Sequence, residues 1–418
     1  MHYPHAVRRS VVVLCLIIPT MAAAQEPAAP AVPLTYEAAL QRAITANPTL
    51  VAARLKRSIN LASRDVAGER QNPEFRFELA KETPKEGYTL AVPWETGGKR
   101  GKRIAAAETA IRTGDAELDA LVAQIAADVR DAYFERFIAE NRQTLLTDMQ
   151  TLAQRARDAA QARFDTGDAP RLDLVQAQLE FADAQNQAAA AAGEVASARA
   201  RLNALLGYDL NAAVSIAPAA DVTAAVAVDA AQARARQANA ELAVIDRRID
   251  EQKTKVALAQ AMKTPDLTPE GTLTHRAEPE FNWGWRAAVA ITLPIFTTHS
   301  AGVRLEEATL TQLTSERSAA AQRIAGEVAA AAAIAEAQRL QYIRYRDEIL
   351  PQAADVERMA EDAYRAGQTN LTAYLQALQS TRDVRLRALQ AAADLQTALA
   401  DLDRAVGAPL TPTTPPTP

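Results

Sequence analysis

Residues Leu118–Ala132 read LDALVAQIAADVRDA, and their apolar positions Leu118, Val122, Ile125, Val129 and Ala132 step by four and three. That is a heptad seam, the mark of a helix that packs lengthwise against another helix. The seam lies inside a longer stretch, Lys102–Phe164, with no proline and a single glycine, Gly114. A helix over that stretch spans about 90 Å at roughly 1.5 Å per residue. Thr166-Gly167-Asp168-Ala169-Pro170 ends it in a turn. A second helix returns over 171–206, so the pair predicts a long helical hairpin.

Ahead of this hairpin, residues 35–70 read as helix, interrupted near Asn47-Pro48, and Pro73 stops it. Phe75, Phe77 and Leu79 then alternate with Arg76, Glu78 and Ala80, and Tyr88, Leu90 and Val92 alternate as far as Pro93. These are two short strands, about 72–82 and 87–94, around a polar turn. The same plan recurs downstream. Ala46-Asn47-Pro48-Thr49-Leu50 returns as Ala238-Asn239-Ala240-Glu241-Leu242, and Pro93 answers to Pro294. Gly167 and Gly207 answer to Gly367 and Gly407, both at an offset of 200 residues. Ordered matches at glycine and proline point to a duplicated backbone plan. The second unit predicts strands at about 264–275 and 281–296, a helical stretch from 301 to 366 with Pro351 marking a kink or restart, and a return helix from 371.

The chain has 418 residues, 49% of them hydrophobic but only 5% aromatic, so the apolar count is mostly alanine and other small residues. Alanine favours helix and buries little area, which suits thin walls of closely packed helices better than one large core. Mean hydropathy is −0.16, which excludes a bundle of membrane-spanning helices. The net charge of −5 argues against a general nucleic-acid binder. Arg8 and Arg9, the apolar run 11–18 and Ala22-Ala23-Ala24 read as a signal peptide over 1–24. Its removal takes the charge to −7 and carries off Cys15, the only cysteine, with His2 and His5. Leu14 is not the small residue that lipidation at Cys15 needs. The remaining plan is a Pro/Ala-rich segment at 25–33, a first repeat over 34–210, a linker over 211–227, a second repeat over 228–410 and a disordered tail at 411–418. His275 and His299 are far apart, and neither a catalytic motif, a phosphate loop nor a cofactor or metal signature is present.

Four short strands alternating apolar and polar cannot close a sheet by themselves. Alternation of this kind suits a barrel with a lipid-facing outside and a wet inside, and several copies would supply the missing strands. At this point the chain resembles the TolC-type outer-membrane factors, the outer membrane efflux protein family, over about Leu34 to Leu410. The strings Ile349-Leu350-Pro351-Gln352-Ala353, Ala363-Tyr364-Arg365-Ala366-Gly367 and Tyr374-Leu375-Gln376-Ala377 are similar to the family's second hairpin. Phe164, Gly167, Asp173-Leu174 and Gln176-Ala177-Gln178 are similar to its first. The stretch Val92–Arg103, VPWETGGKRGKR, resembles the strand-to-helix junction of the cobalt–zinc–cadmium branch, which works with heavy-metal RND pumps.

The resemblance implies a mainly α fold with a small β part. Long coiled-coil hairpins form a periplasmic helical barrel, and four strands per protomer contribute to a trimeric twelve-stranded outer-membrane β-barrel. It also implies the partners: a homotrimer in outer-membrane lipid, a periplasmic adaptor (membrane fusion) protein and an inner-membrane RND pump. The hairpin turns become the periplasmic tip, where the adaptor docks and the tunnel closes. Candidate residues there are Asp165, Gly167, Asp168, Arg171, Asp173, Gly367, Asn370 and Gln376. The family's second-hairpin acids fall on Ala373 and Gln376, so only Asp173 of the first hairpin matches an acidic position. Trp283 and Trp285 read either as core aromatics of a soluble sandwich or as an interfacial girdle, which the alternating strand favours. Lys99, Arg100, Lys102 and Arg103 read either as a solvated turn or as contacts to anionic headgroups; at a helix N-terminus the dipole gives no reason for them. Pro93 and Pro294 read as strand–helix swivels.

The expected function is the exit duct of a tripartite efflux system for divalent heavy-metal cations, located in the outer membrane of a Gram-negative bacterium, passive and not an enzyme. Two other readings stand beside it: a duct for drugs or for type I protein secretion, and, in a different class, a periplasmic adaptor with helical hairpins. An adaptor would carry one hairpin flanked by β-rich modules rather than two hairpins and little strand.

Overall fold

The computed structural model describes residues 33–217, 225–366 and 368–407. The expected signal segment, the tail, the middle of the linker and Gly367 lie outside the described residues. The first half runs α1 (Tyr36–Ala46), α2 (Pro48–Ala67), β1 (Glu74–Leu79), β2 (Glu86–Ala91), α3 (Lys99–Asp165) and α4 (Arg171–Leu206). The second half runs α5 (Val228–Ala238), α6 (Ala240–Ala261), β3 (Leu267–Ala277), β4 (Phe281–Ile291) and α7 (Ser300–Arg344). A π-turn (Tyr345–Ile349), α8 (Leu350–Arg365) and α9 (Leu371–Val406) complete it. Among the described residues no helix is long and apolar enough to cross a membrane.

α3 is an unbroken rod of 67 residues, about 100 Å long. Its counterpart is broken. Pro351 has no N–H to return to the ladder and its ring crowds the carbonyl four residues back. The helix widens just upstream, where the Leu350 N–H donates to the Tyr345 carbonyl.

The duplication reaches into the core. Ile125 and Val129 of α3 are buried against Ala39, Ala43, Leu50, Leu202 and Leu206. Ile324 and Val328 of α7 are buried against Ala231, Ala235, Leu242, Leu402 and Val406. Each buried Leu, Ile or Val stabilises by about 1.5–3 kcal/mol. The same joint closes both clusters. Asn47 caps α2, accepting from the Thr49 and Leu50 N–H groups at 2.9 and 3.2 Å, and its Nδ2 donates to the Leu205 carbonyl at 2.9 Å. Asn239 caps α6, accepting from the Leu242 N–H at 3.0 Å, and its Nδ2 donates to the Ala405 carbonyl at 3.0 Å. The return helices end on Gly207 (φ 65°) and Gly407 (φ 74°), each pressed against its joint. A Cβ on Gly207 would stand 2.6 Å from the Ala46 carbonyl oxygen, and one on Gly407 2.9 Å from the Ala240 nitrogen. Both positions therefore require glycine for backbone and for space.

The four strands form one antiparallel sheet in the order β1-β2-β3-β4. The pairing of β2 with β3, Tyr88 opposite Leu273 and Ala91 opposite Glu270, joins the two halves. β1 and β4 are its outer edges.

Candidate functional site

Period-two alternation and the strand register sort the sheet into two faces. On one lie Phe75 opposite Leu90, Phe77 opposite Tyr88, Tyr88 opposite Leu273, Leu273 opposite Trp285, and Val289 and Ile291. On the other lie Glu74, Arg76 and Glu78, the bonded hydroxyls of Thr89 and Thr272 at 3.0 Å, Glu270 and Arg286. The apolar face is uncovered: Phe75 is 66% exposed, Leu79 73% and Trp285 81%. A sheet with an open apolar face and a polar reverse is the wall of a water-lined barrel in lipid.

Trp283 and Trp285 stand on the apolar face, toward the hairpin end of β4. Trp94, in step with Tyr88 and Leu90 and bridged to Leu267, stands at the helical end of the same face; Phe296, five residues beyond the end of β4, is exposed like it. Neither is among the candidate interface residues that the sequence suggests, although each belongs to a strand-end run with proline, Val92-Pro93-Trp94 and Pro294-Ile295-Phe296. The Val92 and Trp94 N–H groups bond the β3 carbonyls of Pro269 and Leu267 at 3.0 and 2.7 Å. The N–H that Pro93 lacks falls on the opposite side, beyond the end of β1, so the proline ends the strand without breaking a bond. Beyond Pro294 the chain turns tightly, the Ile295 N–H donating to the Leu293 carbonyl at 2.9 Å.

The basic run at the start of α3 is a fastener. Lys99 is buried, with its Nζ 2.7 Å from Asp266 Oδ2. The Thr96 N–H donates to Asp266 Oδ1 at 2.9 Å. Burial pushes the Asp266 carboxyl up; the Lys99 ammonium and the Thr96 N–H outweigh it and hold the group below the usual aspartate value. Arg103 pairs with Glu95 and donates to the carbonyls of Ala67 and Glu69 at 3.3 and 3.1 Å. Arg100 donates to the Gly68 carbonyl at 2.6 Å. Gly97 has φ 65°, and a Cβ there would meet Thr264 Oγ1 at 2.0 Å. Three of the four cations thus tie the strand exit to α2 and to the second repeat. Lys99, being buried, is removed from the headgroup contact expected of it; Lys102 is exposed.

At the far end α3 turns into α4 through Gly167 (φ 81°), with the Asp168 N–H donating to the Arg163 carbonyl at 2.8 Å. The second turn repeats that bond, Gln368 N–H to Ala363 carbonyl at 2.9 Å. Asp165 accepts from Gln161 at 2.8 Å, and Asp168 bonds the Thr166 hydroxyl at 3.0 Å. Asn370 caps α9, accepting from the Ala373 N–H at 2.9 Å. Asp165, Asp168, Arg171, Asn370 and Gln376 are exposed and Asp173 is half-buried. No ion pair among the described residues joins Arg171 to Asp168 or Asp173. Beneath the turns, Ala156, Ala160 and Ala177 of the first hairpin pack on Leu371, Tyr374, Leu375 and Leu378 of the second. Tyr364 and Tyr374 stack at 4.9 Å. Glu180 of α4 accepts from Gln379 at 2.7 Å and pairs with Arg382 at 3.4 Å, so one carboxylate ties the two hairpins. Sequence reading missed Glu180, whose partners lie about 200 residues away. Among the described residues no group of three or more His, Cys, Asp or Glu is placed to hold a metal ion.

The family pattern described as Outer membrane efflux protein matches residues 39–208. The chain is 29% identical over 388 residues to the cobalt-zinc-cadmium resistance protein CzcC of Cupriavidus metallidurans, covering 90% of each. It is 32% identical over 183 residues to the nickel-cobalt-cadmium resistance protein NccC of Alcaligenes xylosoxydans, covering 41% of each. Its fold matches crystal structures of CusC, a study of transmembrane channel formation, with TM-score 0.73 at 16% identity over 90% of this chain and 93% of that one.

Proposed function

We propose that this chain, a member of the outer membrane efflux protein family, is the exit duct of a tripartite efflux system that expels divalent heavy-metal cations. The chain is an outer-membrane efflux channel that extends into the periplasm, and it is not an enzyme. Cargo, copy number and partners are the added reading.

The observation that carries it is the four-stranded sheet, apolar and exposed on one face, polar on the other, with β1 and β4 as its edges. Closing it around water removes the edges and covers the apolar face with lipid. Three copies give twelve strands. The helical hairpins then continue the pore as a tunnel. The tips around Gly167 and Gly367, with Asp165, Asp168, Arg171, Asp173, Asn370 and Gln376, form the adaptor-docking and gating end. Pro93 and Pro294 let each strand swing into its helix. An inner-membrane RND pump supplies energy and selectivity.

Similarity to a cobalt-zinc-cadmium resistance protein over nine-tenths of both chains supports the metal cargo. Deleting the gene and scoring growth on Zn, Co, Cd, Ni, Cu and dyes tests it. The expected result is lost resistance to at least one divalent metal, restored by the intact gene. Sensitivity to dyes alone contradicts the metal reading and favours a drug duct.

A further inference from the structure

The outer end of the apolar face carries a polar cluster that channel formation does not use. Alternation along β3 puts His275 on the apolar face with Leu273 and would send Arg276 to the polar face with Thr272 and Thr274. Arg276 instead has φ 60°, a left-handed conformation uncommon for a long side chain. The strand register is unbroken around it, His275 facing Trp283 and Ala277 facing Phe281, and its carbonyl accepts from the Lys85 N–H at 3.3 Å. Its guanidinium meets Glu86, which the register places on the apolar face opposite Leu79: Nη1 lies 3.1 Å from Glu86 Oε1. Glu86 also meets His275 Nδ1 at 3.0 Å and accepts from the Tyr88 hydroxyl at 3.2 Å. The His275 ring stacks on Trp283 at 4.2 Å, and Trp283 lies 6.5 Å from Tyr88. A left-handed residue near the end of a strand re-aims its side chain.

This construction aims a guanidinium and leaves it open. The Arg276 side chain remains 61% exposed although Glu86 fixes one nitrogen. On the same face stand two accessible indoles, Trp283 opposite His275 and Trp285 opposite Leu273. The helices lie in the periplasm, so this end of the strands faces the outer leaflet, whose lipids there are phosphorylated glycolipids. A guanidinium matches a phosphate by paired charge-assisted hydrogen bonds. Aromatic faces in a membrane interface suit the apolar faces of sugar rings. We infer that Arg276, aimed by Glu86 and flanked by Trp283 and Trp285, binds the phosphorylated sugar headgroup of an outer-leaflet glycolipid. Recognition is local and not a cationic field, because the neighbouring turns mix Lys81 and Lys85 with Glu82, Glu278 and Glu280.

The test titrates the purified, full-length assembled protein in detergent with bisphosphorylated lipid A and with its dephosphorylated form, reading tryptophan fluorescence. Arg276→Gly removes the guanidinium and relieves the left-handed backbone, and Arg276→Asn, also tolerant of that conformation, is the second variant. The expected result is binding about tenfold weaker for the dephosphorylated lipid, and equally weakened for phosphorylated lipid in both variants, with assembly retained. Equal affinity for the two lipids, or unchanged affinity in either variant, overturns the proposal.

Discussion

Lys99 Nζ and Asp266 Oδ2 are 2.7 Å apart, joining the first residue of α3 in one repeat to the residue before β3 in the other. The lysine is buried and the aspartate partly so. Removing one partner strands the other charge. Asp266→Ala is expected to destabilise the fold by about 2–3 kcal/mol, less than a fully buried pair because solvent screens the carboxylate. Thermal unfolding of the purified protein checks this. A melting temperature within a degree of wild type removes the pair from the junction's support.

The twin joints make a second prediction. Asn239→Ala loses the cap of α6 and the bond to the end of α9, a cost of about 2 kcal/mol. Asn239→Asp keeps an accepting oxygen and loses the donor, so its cost falls to about half. Chemical denaturation of the two variants should therefore rank them Ala below Asp below wild type. Asn47 should repeat the ranking.

Much of this fold was legible beforehand, and the reasons are local. The turn at 166–170 marked the break between α3 and α4, and strand alternation marked the apolar face. The mainly helical fold with four strands was readable for that reason. The misreadings share another cause. Lys99 looked like an exposed cation because its partner Asp266 is remote in sequence, and Glu180 was silent for the same reason. Arg276 carries no local signal at all, since its position follows from a left-handed backbone at the strand end and not from a pattern. The π-turn was legible only as the proline that provokes it, Pro351.

Acid should loosen the linker. Glu336 of α7 accepts from Arg339 at 2.8 and 2.6 Å and from the Val226 N–H at 3.1 Å. The Arg339 guanidinium first, with the Val226 N–H, outweighs burial and lowers its pKa from 4.5 to about 2. A depressed folded pKa means the contribution is full above pH 4.5 and is lost as pH falls toward 2. The protection factor of the Val226 amide should fall over that window, and should be low in Glu336→Gln at all pH values. Protection that is flat with pH contradicts the assignment.

At the tip, Glu180 and Arg171 separate a tie from a solvated charge. Glu180→Ala removes the contact with Gln379 and Arg382 and should ease parting of the two hairpins, raising open probability in planar bilayers severalfold. Arg171→Ala should change it little. Equal effects from both would assign the gate to general tip charge instead of the inter-hairpin tie.

In the proposed duct several copies of this sheet close around water. Planar-bilayer recording of the purified, heat-modifiable oligomer decides whether they do. The expected result is discrete conductance steps from a species that dissociates to a 44.9 kDa chain, or a slightly smaller one if processed, on boiling. A protein that enters bilayers without conducting, or that purifies as a monomer with no steps, contradicts it.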